Sequence, residues 1–111
     1  MIGSFYDKGL KELFEAGKTA KIDRALHDRI IRRLDALHRA KKPSDMRIPG
    51  YDFHPLKGFN PTRYSVHVNG PMCITFEFEG ENATRVRFGK LPSRMRGPRA
   101  TKLRQTQERL S

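Results

Sequence analysis

The chain has 111 residues, 36% of them hydrophobic, a net charge of +11 and a single cysteine, Cys73; this suits one small domain with a modest core. One cysteine excludes an intramolecular disulfide and a cysteine-built zinc cage. No apolar run approaches the ~20 residues of a membrane span, and residues 1–16 carry no signal-peptide pattern, so a cytoplasmic location is expected.

Residues 2–5, IGSF, alternate apolar and small side chains and read as a short first strand. Asp7 to Ala16 places Leu10, Leu13 and Phe14 at helical spacing, and Gly17 stops the turn. The clearest element runs from Asp23 to about Lys41, where Ile22, Leu26, Ile30, Leu34 and Leu37 form one apolar stripe. Asp28 with Arg32 and Asp35 with Arg39 are i,i+4 pairs on its polar side. Asp23 reads as the N-cap and Pro43 as the stop, with one further turn at Ser44-Asp45.

After Pro49-Gly50 the period changes to two. Tyr64, Val66 and Val68 alternate with Ser65 and His67; Asn69-Gly70-Pro71 signals a hairpin; Ile74, Phe76 and Phe78 alternate on the next strand. A third strand, Ala83–Phe88, follows the turn at Glu79–Asn82. The order predicts an α+β domain, with two N-terminal helices packed on a mainly antiparallel sheet.

From Gly89 the pattern collapses, which divides the chain into a domain at 1–88 and a basic tail at 89–111 expected to be disordered. The charge divides at nearly the same place. Residues 1–84 hold 14 Lys/Arg against 11 Asp/Glu, whereas residues 85–111 hold 9 against 1. Net charge makes phosphate polyanions the first partners to consider, but most of it lies in the tail.

His54 and Lys57 share the turn-like segment HPLKG at 54–58. The plain reading is a structural turn with a solvated lysine. The functional one is RNA phosphodiester chemistry: imidazole moves protons near pH 7, and an ammonium offsets the charge of a phosphorane. RNA supplies its own nucleophile, so neither metal nor cofactor is expected. His67 alternates away from the core and is placed to line a site. His27 and His38 are expected on the surface of the long helix, and Cys73 as a small buried hydrophobe.

The segments MIGSF, DKGLKELFEAGK, RRLDALHRA, HPLKG, YSVHVNGP and ITFEFEG, in that order, resemble the HigB-type killer proteins of the RelE toxin superfamily over residues 1–86. The resemblance implies a compact endoribonuclease that cuts messenger RNA in the ribosomal A site. It also implies a helix-turn-helix antitoxin as partner, and contact with operator DNA only through that complex. His54 and Lys57 are then the expected catalytic residues, with Arg63, His67 and Cys73 as substrate contacts.

Two departures bear on activity. The family reads Trp-Arg where this chain has Met72-Cys73, and cysteine cannot replace a guanidinium's fork of donors. The family also ends on an acidic residue followed by Tyr-His, where this chain runs into VRFGKLPS. A single-base frameshift after Val86 accounts for this, because suitable codons for that string read Asp-Leu-Glu-Asn-Tyr-His in another frame. An alternative to an active toxin is therefore a catalytically impaired homologue that binds antitoxin or RNA. A third reading is general nucleic-acid binding through the tail, with steep salt dependence.

Overall fold

A computed structural model describes residues 1–90; the expected tail lies, from residue 91 onward, outside the described residues. Two helices cover one face of a four-stranded antiparallel meander, ordered β1-β2-β3-β4, and the α+β architecture expected from the periodicity is present. The strands are β1 His54–Leu56, β2 Arg63–Asn69, β3 Met72–Glu79 and β4 Asn82–Lys90.

Helix α1 spans Lys8–Ala16 and ends at Gly17, whose φ of 81° is the left-handed geometry a glycine adopts without a Cβ clash. Asp7 is its N-cap residue, yet its carboxylate does not cap the helix; it accepts from Phe88 N at 2.6 Å and clamps β4 instead. Helix α2 spans His27–Arg39, shorter than the expected 23–41. Residues 24–26 form a 3-10 turn capped by the Asp23 side chain, which accepts from Ala25 N at 3.1 Å. Pro43–Met46 forms the further turn, and Asp45 takes Lys41 N at 2.9 Å, so the freed backbone donors at this corner are met.

The core sits between the helices and one sheet face. Leu10, Leu13, Ile30, Leu34 and Leu37 meet Val66, Val68, Ile74, Phe76 and Val86, all at most 1% exposed. Leu26 and Phe78, expected within this set, are only partly buried at its margin.

Three other expectations need correction. Residues 2–5 do not form a full strand; they make parallel bridges Ile2↔Ala83 and Phe5↔Val86 along β4. Arg85 interrupts the pairing, with φ at 52° and its N–H given to Ser4 Oγ at 2.9 Å. The bridging segment still covers what is otherwise an open sheet edge. The last strand also continues through Gly89 and Lys90, so the start of the basic segment is part of the sheet. His27 and His38, finally, are not free on the helix surface as expected: His27 is buried and His38 half-buried. His27 is 9% exposed and donates from Nε2 to Ile22 O, while His38 Nδ1 accepts from Ile2 N and its ring packs on Phe14. Both histidines bind backbone outside the helix, which its apolar stripe did not signal.

Candidate active site

Alternation along β2 and β3 turns Ser65, His67, Cys73, Thr75 and Glu77 away from the helices. Register then assembles them across strands: His54 pairs with Ser65, Ser65 with Thr75, and Thr75 with Arg87. One row of side chains therefore crosses the whole sheet from β1 to β4. His67 pairs with Cys73, and Cys73 with Gly89, in a second row.

At the β1 end, His54, His67 and Cys73 line one small cleft of about 40 Å³ together with Asp52 and Ser65. His54 Nδ1 lies 2.9 Å from Asp52 O. A carbonyl only accepts, so Nδ1 carries a proton, and in the neutral ring Nε2 is the acceptor. Asp52 reaches this position with φ at 48°, a region that aspartate tolerates better than most residues. His67 is fixed in the opposite sense, with Nε2 donating to Gly70 O at 3.0 Å and Nδ1 left open.

His67 is braced from behind. β1 stops opposite Ser65, so the next stretch of β2 has no strand neighbour on that side. Tyr51 O takes the His67 N–H at 2.6 Å, and Arg33 Nε donates to His67 O at 2.6 Å. Arg33 also stacks over the Tyr51 ring at 4.3 Å and donates to Arg29 O at 3.0 Å. It is 8% exposed, and burial holds its guanidinium below the ordinary arginine value. One buried arginine thus ties α2 to both segments that carry the imidazoles.

The other predicted residues are placed differently. Lys57 is exposed in the turn after β1 and does not line this cleft. Arg63 belongs to a second cleft of about 90 Å³ on the same face, with Leu56, Phe59, Thr75, Arg87 and Lys90. It donates from Nη2 to Glu77 Oε2 at 2.8 Å and stacks on Phe59 at 4.4 Å. Cys73 is buried beside the imidazoles, with Sγ 3.6 Å from Gly89 O. It is a wall of the cleft and brings no positive charge.

Sequence reading missed Asp52, Arg33 and Arg87. With Ile74 and Phe76 facing the core, alternation turns Thr75 to the opposite face, and that signal could have found its β4 partner. Arg87 was hidden because it lies just past the point where the familiar pattern ends.

No helix among the described residues is long and apolar enough to cross a membrane. Residues 3–88 match the family model described as the RelE-like toxin HigB of type II toxin–antitoxin systems. The chain is also 41% identical over 78 residues to a Proteus vulgaris protein named Endoribonuclease HigB, covering 70% of this chain and 85% of that one. With these matches on a fold of two helices and an antiparallel sheet, the chain belongs to the HigB-like family of RelE-like toxins.

Proposed function

We propose that this toxin is an endoribonuclease that cuts messenger RNA on the translating ribosome, with His54 and His67 as its proton-transfer pair. The observation that carries this is the shared cleft, in which two imidazoles have their tautomers set by backbone carbonyls. The match to a protein named Endoribonuclease HigB supports the reaction class.

Neutral His54 takes the proton of a ribose 2′-hydroxyl through Nε2 as the O2′–P bond forms. His67, protonated at Nδ1, gives that proton to the departing O5′ as the P–O5′ bond breaks. The products are a 2′,3′-cyclic phosphate and a 5′-hydroxyl, and the two histidines end in exchanged protonation states. Lys57, in the adjoining turn, contributes a positive charge to the incoming backbone. Arg63 meets the substrate as a cation in the second cleft, and Cys73 as part of the wall of the first.

A type II toxin has an antitoxin partner. Here we assign that partner to a helix-turn-helix protein that docks on the folded domain, with operator DNA reached only through the complex. The cytoplasm, where ribosomes and messenger are found, is the corresponding location.

Cys73 in the cleft wall favours a second reading, in which a binding-competent homologue cuts weakly. Primer extension on translated messenger separates the two. The intact chain should cut, His54→Ala should not, and a chain ending Asp-Leu-Glu-Asn-Tyr-His after Val86 should cut faster than the intact one. Failure of the intact chain to cut, with antitoxin binding retained, establishes the second reading.

A further inference from the structure

The second cleft has a charge pattern that the proton-transfer pair does not use. Arg63, Arg87 and Lys90 line it around Thr75. Among the described residues, Arg63 Nε and Arg87 Nε are both buried without a hydrogen-bond partner, an expensive state for donors on a cation. Each guanidinium is laid on an aromatic ring, Arg63 over Phe59 at 4.4 Å and Arg87 over Tyr6 at 3.8 Å. Stacking fixes the plane of a guanidinium while leaving donors along its edge.

The carboxylates nearby are few and already engaged. Glu77 accepts from Arg63 at 2.8 Å and faces Arg85 Nε at 3.7 Å. Asp7 is taken by Phe88 N. Among the described residues Arg87 has no ion pair. Among the described residues that line the cleft, three are cations, Arg63, Arg87 and Lys90, and none is a carboxylate; Glu77 is shared by Arg63 and Arg85 and leaves Arg87 unpaired.

We infer that Arg87, with Arg63, Lys90 and Thr75, forms a phosphate subsite that holds an RNA backbone phosphate beside the one being cleaved. The identity of the ligand rests on the ribonuclease reading above; the anion pocket itself rests on its own geometry. Spacing sets its place. His54 and Arg87 stand at the two ends of a four-strand row, roughly 14 Å apart at ~4.8 Å per strand. The Arg87 guanidinium is held over Tyr6, in the segment that runs along the outer edge of β4, and so on the side of its strand away from His54; there it grips a neighbouring phosphate and sets the strand's direction across the sheet.

The test is a titration of the intact protein, read by NMR at the arginine Nε–H resonances. The probes are inorganic phosphate and then a short single-stranded deoxyoligonucleotide, which lacks the 2′-hydroxyl and is not cut. Saturable shifts at Arg63 and Arg87 are expected, with affinity about tenfold weaker in Arg87→Gln and unchanged in His54→Ala. Lys90→Gln, an exposed change that spares the fold, should weaken binding by a smaller factor. In cleavage assays Arg87→Gln should raise KM and leave kcat nearly unchanged. Non-saturating shifts spread over all surface cations, or equal affinity in wild type and both glutamine variants, overturn the subsite. Saturable binding by a chain that cuts no RNA keeps the subsite and removes the ribonuclease reading; cutting with KM unmoved in Arg87→Gln does the reverse.

Discussion

The central residues of both faces of this sheet are buried, and the two faces are chemically opposite. Toward the helices lie Val66, Val68, Ile74 and Phe76, at most 1% exposed; away from them lie Ser65, Thr75, Glu77 and Thr84, at most 8% exposed. Among the described residues no helix covers the second face. Larger neighbours in its own cleft, Leu56, Phe59, Arg63 and Arg87, shield it instead. Burial on the first face drives folding. On the second face burial carries a cost, because Thr84 Oγ1, Arg63 Nε and Arg87 Nε lack partners among the described residues. A fold keeps such a surface where function requires it. Mutations on the polar face should therefore read out in activity, and mutations on the apolar face in stability.

The largest expected effect is on the polar face. His54→Ala should slow cleavage by ~10²–10⁴-fold, the usual scale for one general acid–base group, and leave the thermal midpoint within a few degrees of wild type. A midpoint drop as large as a core truncation gives would show that the ring holds the fold, and the division between faces would fail.

Leu34→Ala is the mirror experiment. Leu34 is fully buried in the helix-facing core, so the truncation should cost ~2–5 kcal/mol in chemical denaturation. Cleavage per folded molecule should stay near wild type. A loss under ~1 kcal/mol would place the helix elsewhere than on β2 and β3.

These outcomes also bear on what the sequence disclosed. The apolar face was legible because 3.6- and 2-residue periods survive in any context that buries one side. Ile30, Leu34, Leu37, Val66 and Ile74 were all placed in the core from periodicity, and all are there. β1 was not legible: three residues, HPL, are too few to show a period, and a proline within them reads as a turn. His54 and His67 were singled out by type and by alternation, but their meeting in one cleft depends on the register His54↔Ser65, which no local pattern encodes. Arg33 was hidden for a different reason. It is a charged residue buried through backbone contacts 34 positions away in sequence, and helical spacing gives it no mark.

Arg33 is also where the two faces are mechanically joined, so its removal should move both readouts by less than either extreme. Arg33→Lys keeps a charge but loses the fork that spans His67 O and Arg29 O. We expect a stability loss of ~1–3 kcal/mol together with a lower kcat, while KM changes little. The His67 ring resonance should shift, which a purely structural loss elsewhere on α2 would not cause. Unchanged kcat with the same stability loss would confine Arg33 to the fold.

The smallest effect lies outside both faces. Glu12, on α1, accepts from Thr19 Oγ1 at 2.6 Å and from Lys21 Nζ at 3.0 Å, pinning the connection between the helices. The hydrogen bonds from Thr19 and then Lys21 hold its carboxyl below the ordinary value of 4.5. A carboxyl with a lowered folded pKa stabilises the fold when ionised. Its contribution is fully present above about pH 4.5 and is lost as pH falls through the folded value. Glu12→Gln should therefore shift the denaturation midpoint slightly downward at pH 7, and the difference from wild type should close on acidification. The group is exposed and the pair screened, so raising salt at pH 7 should narrow the same gap. A midpoint difference that persisted below the carboxylate range, or one insensitive to salt, would assign Glu12 a packing role rather than an electrostatic one.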